Sequence, residues 1–85
     1  MAMQEHTRQR PTSEALRAMV AEIMEIDVGE VTPEASFPTD LGMDSLQKTA
    51  VVVAMEQRFG VTLAPEQAAE ARSVDDLLRL VGGEV

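Results

Sequence analysis

Apolar residues recur along this chain at helical spacing in separate blocks, and the breaks between the blocks carry turn and cap residues. Leu16, Met19, Val20, Ile23 and Ile26 fall on one side of a 3.6-residue repeat. Pro11-Thr12-Ser13 in front of them is a start signal, with Glu14 in the first turn, so a first helix is predicted that ends between Asp27 and Gly29. A second helix is predicted from Ser45 to Phe59. The run Val51-Val52-Val53 alone favours a strand there, but the length of the block and the Asp44 cap favour a helix. Gly60 suits the left-handed residue that closes it. Val61-Thr62-Leu63 then reads as an extended link, and Ala64-Pro65 as the start of a short helix with Ala68 and Ala71 inward. Ser73-Val74-Asp75-Asp76 has the form of a capping box with Asp in the acidic place. It opens a last helix with Val74, Leu77, Leu78 and Val81 on one side, stopped by Gly82-Gly83.

The second helix has two apolar sides. At about 100° per residue, Val51, Val52, Met55 and Phe59 gather on one, and Leu46, Ala50, Val53 and Gln57 on the other. So small a domain cannot bury a helix all round, which makes the Leu46–Val53 side a candidate partner surface; the alternative is that another helix covers it. Between the first two helices, residues 28–41 form a long connection broken by Gly29, Pro33 and Pro38. Val31 and Phe37 are its expected anchors in the core, although Phe37, one of only two aromatic residues, could instead stack on a ligand.

Three substantial helices and one short one, with that long first loop, predict an all-α fold: a small four-helix bundle spanning residues 12–82 behind a disordered polar tail of residues 1–11. His6, in the tail, is assigned no role. Eighty-five residues make one small domain, too small for a large catalytic cleft. With no cysteine there is neither a disulfide framework nor a thiolate metal site. The N-terminus is not a secretory signal and no stretch is long enough to span a membrane, so a soluble, cytoplasmic, monomeric protein is expected.

Charge sharpens the picture. The formal net charge is −8, but up to Ala18 the balance is +1, and beyond it 13 acids face only Lys48, Arg58, Arg72 and Arg79. No base lies between Arg17 and Lys48. That interval holds Glu22, Glu25, Asp27, Glu30, Glu34, Asp40 and Asp44, and leads straight to Ser45. Nucleic acid is disfavoured as a partner and basic protein surfaces are favoured, with steering worth about 10–10³-fold in encounter rate at low salt. A solvated acidic surface that only confers solubility would have the same composition.

The candidate chemistry is the hydroxyl of Ser45. With Asp44 as N-cap, Ser45 falls in the first turn, at the positive end of the helix dipole, where an exposed anion gains about 0.3–1 kcal/mol. A phosphate ester on Ser45 would be well placed, and Gly42 lets the chain turn tightly just before it. An isolated Asp-Ser pair would otherwise be an ordinary helix cap. No Ser/His/Asp set, metal-ligand cluster or Gly-rich phosphate loop accompanies it, so neither catalytic nor metal-binding residues are assigned; Asp40 and Asp44 alone are a poor calcium site.

Asp40-Leu41-Gly42-Met43-Asp44-Ser45-Leu46 resembles the prosthetic-group attachment motif of acyl carrier proteins, D-L-G-x-D-S-L, and the similarity extends from about Leu16 to Val81. The resemblance implies that a phosphopantetheinyl transferase esterifies Ser45 with 4′-phosphopantetheine from coenzyme A, and that the arm's thiol carries acyl groups as thioesters. It implies that Asp44 helps hold the transferase's magnesium. Asp40, Met43, Asp44, Leu46, Ala50 and Val53 are then the expected docking residues for enzymes with basic surfaces, such as a ketosynthase, an acyltransferase or an adenylating or ligase-type enzyme.

The chain departs from the pattern D-S-L-x-x-V-E-L common in fatty-acid carriers. Ala50 stands where the recognition glutamate would be, and Lys48 adds a base. A partner that clamps that glutamate would lose a contact worth about 1.5–3 kcal/mol. This favours a polyketide or other secondary-metabolite pathway, with a fatty-acid carrier or an aminoacyl or peptidyl carrier as alternatives. An unmodified acidic scaffold is the alternative from another class, and a hydrolase using Ser45 lacks a base.

Overall fold

The computed structural model describes residues 10–82 of the chain. The expectations for His6, most of the tail and Gly83 lie outside the described residues. Those described form an all-α domain of three main helices and one short helix, as the apolar spacing predicts.

Helix α1 (Ser13–Met24) starts where expected, with the Thr12 hydroxyl accepting the Ala15 N–H at 3.1 Å. It ends earlier than the spacing predicts. Glu25 takes the left-handed conformation (φ 60°), and the Ile26 N–H then returns to the Ala21 carbonyl at 3.0 Å. The closing residue is not the usual glycine, so nothing in the sequence marks the stop. Ile26 keeps the apolar period because it folds back against the core just past the helix end.

The connection that follows is tied down at both ends. After a single 3₁₀ turn (Val28–Glu30), the Arg17 guanidinium donates from Nε to the Val31 carbonyl at 2.6 Å and from Nη2 to the Val28 carbonyl at 3.1 Å, fastening the loop to α1. Val31 and Phe37 are fully inside, the anchors the sequence suggests, which disposes of a stacking role for Phe37. Farther along, the Phe37 N–H donates to the Arg72 carbonyl at 2.7 Å, and the Asp75 N–H to the Pro33 carbonyl at 3.0 Å.

Helix α2 (Ser45–Phe59) has the predicted bounds and is closed by Gly60 at φ 69°. Helix α3 (Pro65–Glu70) begins on its proline, with Ala68 half-buried and Ala71 buried. Helix α4 (Val74–Val81) is capped by the Ser73 hydroxyl, which accepts the Asp76 N–H at 3.1 Å. The return half of the expected capping box differs: the Asp76 carboxylate takes the N–H of Arg72, not of Ser73, at 3.0 Å. Asp76 also pairs with Arg79 one turn on.

The core lies between α1, α2 and α4, roofed by the loop. Leu16, Met19 and Val20 of α1 meet Val51 and Met55 of α2 and Val74 and Leu77 of α4, all with no exposed surface. Each such side chain contributes about 1.5–3 kcal/mol by leaving water, most of which chain entropy cancels in a domain of this size.

Candidate attachment site and the surface that presents it

Ser45 is exposed and is the first residue of α2. Two short-range devices fix it there. The first is a reciprocal capping box: Asp44 Oδ1 accepts the Gln47 N–H at 2.8 Å, while Gln47 Oε1 accepts the Asp44 N–H at 3.0 Å. Sequence reading found Asp44 but missed Gln47, although Asp-Ser-Leu-Gln has the spacing that signals the box. The cap occupies the N–H of Gln47 and the Lys48 N–H returns to the Asp44 carbonyl at 2.9 Å, so the N–H groups of Ser45 and Leu46 are not used by the cap. An anion beside the Ser45 hydroxyl meets those two N–H groups and the positive helix end.

The second device is the turn before the helix. Asp40 Oδ2 accepts the Ser36 N–H at 2.8 Å, and the Ser36 carbonyl accepts from Asp40 at 2.8 Å and Leu41 at 3.1 Å. Gly42 then takes φ 68°, with nothing within 4 Å of where a Cβ would stand. Backbone conformation, not space, demands glycine there. Past Gly42 the chain reverses, so that the Met43 N–H reaches the Phe37 carbonyl at 2.8 Å. Phe37 thereby links Arg72 on one side to Met43 on the other, and the loop holds the start of α2 as a fixed pedestal.

This turn corrects one expectation. Met43, grouped by sequence with the docking residues, is in the core at 8% exposure, because the left-handed Gly42 and the bond to Phe37 turn its side chain inward. The others of that group, Asp40, Asp44, Leu46, Ala50 and Val53, are exposed, and Asp40 also closes the turn through its bond to Ser36. Leu46 is 80% and Val53 43% exposed; no helix among the described residues covers that side of α2.

The electrostatics follow the sequence. Glu25, Asp27, Glu30, Glu34, Asp40 and Asp44 are exposed from the end of α1 to the start of α2, and Glu22 pairs with Arg58 across α1 and α2. One base departs from its ordinary behaviour. Burial holds the Lys48 ammonium below the usual lysine range, neighbouring Arg72 pushes the same way, and Asp76 pushes back. Among the described residues no group of three or more acids or histidines could hold a metal ion, and no helix is long and apolar enough to cross a membrane.

A protein-family model, described as the phosphopantetheine attachment site, matches residues 14–81. The chain belongs to the acyl carrier protein family. It is 40% identical over 68 residues to an acyl carrier protein of Helicobacter pylori (strain G27), covering 80% of this chain and 87% of that protein. An acyl carrier protein of Thermosynechococcus vestitus is 38% identical over 72 residues, covering 85% and 89% of the two chains. The prosthetic group of the family is a covalently attached phosphopantetheine, and its members carry acyl groups without catalysing their chemistry. An exposed serine hydroxyl in the first turn of a capped helix fits such a group. The phosphodiester needs an anion-tolerant helix start, and the arm needs open solvent beyond it.

Proposed function

We propose that Ser45 bears the 4′-phosphopantetheine arm, and that acyl intermediates ride on the arm's terminal thiol as thioesters between partner enzymes. The observation that carries this reading is the exposed Ser45 hydroxyl, set at the positive end of α2 by the Asp44–Gln47 box and the Asp40–Ser36 turn. A phosphopantetheinyl transferase supplies the arm: the Ser45 oxygen forms an ester bond to phosphorus as the pyrophosphate bond of coenzyme A breaks, and adenosine bisphosphate leaves. The exposed Asp44 carboxylate helps hold the transferase's magnesium ion. Because coenzyme A and the transferase are needed, the working compartment is the cytoplasm.

Leu46, Ala50 and Val53 form the apolar line on which partners dock, and the acids leading into α2 draw in basic surfaces. Ketosynthases, acyltransferases and adenylating enzymes present such surfaces in this reading. Exposed Ala50 offers no carboxylate to an arginine clamp, which supports service in a polyketide or other specialised pathway. A fatty-acid carrier is the second reading, favoured by identities of 38–40% to proteins named simply acyl carrier protein. Two measurements test these readings. Peptide mapping after incubation with a broad-specificity transferase and coenzyme A should find the phosphopantetheine mass on the fragment containing Ser45. An unmodified chain would leave an acidic scaffold as the better account. Elongation by a fatty-acid ketosynthase should be slow beside elongation by a ketosynthase encoded next to this gene; equal rates would return the pathway to fatty-acid synthesis.

A further inference from the structure

Helix α2 carries two hydroxyl side chains, Ser45 and Thr49, one turn apart and both exposed. They are tied together. The Thr49 hydroxyl donates to the Ser45 carbonyl at 2.9 Å, so Thr49 Oγ1 stands against the backbone of the attachment residue. That bond selects one threonine rotamer and uses the only hydroxyl proton, leaving Oγ1 with lone pairs alone. An oxygen in that state accepts a further hydrogen bond and cannot donate one.

Residues four apart on a helix are surface neighbours, about 5–6 Å apart at Cβ, and helical side chains lean toward the N-terminus. Thr49 therefore covers the surface next to whatever Ser45 bears. Around the axis Thr49 is turned about 40° from Ser45 toward exposed Leu46 and Val53, and away from buried Met55 and Phe59. The hydroxyl is also a departure from the pattern D-S-L-x-x-V-E-L, since Thr49 stands at its valine. Threonine keeps the shape of valine and exchanges one methyl group for an oxygen, so Thr49 adds polar recognition there and not bulk. An exposed threonine inside a helix lowers helix propensity, with no core packing to offset it.

We propose that Thr49 is a positioning residue for the arm at Ser45: its Oγ1 accepts a hydrogen bond from the first amide N–H past the phosphodiester and lays the arm along the exposed side of α2. The inference rests on Ser45 as the attachment point. The amide N–H is the matching group because it only donates, as Oγ1 only accepts. An arm held in this way starts out toward Leu46 and Val53, the surface on which partners dock, and not over the core.

The probe is the holo protein loaded from coenzyme A that carries ¹⁵N at this one amide, so a single resonance reports the arm; intact mass verifies the loading of each form. Compared with the same amide in free coenzyme A, exchange with solvent should slow about two- to tenfold, the protection given by one hydrogen bond of ordinary net strength. Thr49→Val keeps the shape and removes the acceptor, and should return the rate to that of coenzyme A. Thr49→Ser keeps the oxygen and should retain most of the protection. Unslowed exchange in the wild-type holo protein, protection that survives Thr49→Val, or equal loss in the two variants overturns the positioning role while leaving Ser45 in place. A chain that gains no mass overturns the attachment assignment first.

Discussion

The two sides of α2 are built from similar residues and do opposite things. Val51, Met55 and Phe59 are buried in the core shared with α1 and α4, while Leu46, Ala50 and Val53, equally apolar or nearly so, are exposed. Hydrophobicity alone does not separate them; rotation about the axis does. The inner side supports the fold, and the outer side is a surface whose cost in exposed apolar area has no structural return within the domain. In the function proposed above, the outer side finds its return when the carrier docks on a partner enzyme.

The contrast breaks most visibly under paired substitution. Met55→Ala should cost about 2–5 kcal/mol, a large share of what a domain this small has, and thermal melts should show it with or without a partner. Val53→Asp should leave the melt within about 0.5 kcal/mol of wild type, yet slow modification and transfer, because docking would bury its charge. If Val53→Asp melts as badly as Met55→Ala, the two sides are not distinct and the docking surface must lie in the acidic loop.

A smaller effect is expected where both sides begin. Asp44→Ala removes the cap that fixes the first turn and should cost about 1 kcal/mol in denaturant unfolding. Gln47→Ala should cost less, since it removes only the return bond to the Asp44 N–H. Equal losses from the two would show that the box, and not the Asp44 side alone, sets the helix start.

The smallest effect concerns Lys48, the polar head of the inner stripe. Its folded pKa lies below the ordinary 10.5, so the folded state releases this proton before the unfolded state does, and stability rises with pH across the interval from the lowered value up to 10.5. Below that interval both states are protonated and the penalty is constant. Lys48→Met should therefore raise Tm by no more than about 2 °C near neutrality, and the advantage should shrink as pH climbs through the interval. Without tyrosine or cysteine the chain has few other groups titrating there. A difference in Tm that is flat from pH 7 to 11 would show that Lys48 is not held off its ordinary behaviour.

Legibility in the sequence tracked the physics of each signal. Bounds announced by residue type were found as read: Asp44 and Gly60 for α2, Pro65 for α3, Ser73 and Gly82 for α4. The end of α1 was not, because Glu25 performs a glycine's task and Ile26 continues the apolar period beyond the last turn. The inward turn of Met43 depends on Phe37 and Gly42 acting together, and the clasp of Arg17 on the Val28 and Val31 carbonyls joins residues 11 and 14 apart. No local pattern encodes contacts of that kind. The motif from Asp40 to Leu46 was legible because cap, glycine turn and serine are contiguous, whereas the influence of Arg72 on Lys48 joins residues far apart in the sequence.

The division between a folding side and a presenting end is tested most directly on Ser45 itself, by measuring intact mass and thermal melting together on Ser45→Ala after incubation with transferase and coenzyme A. The hydroxyl is exposed and the helix start is held by Asp44 and Gln47, so the variant should melt within about 2 °C of wild type and gain no phosphopantetheine mass. A folded variant that still gains the mass, or one that loses its helical circular dichroism, would contradict the account.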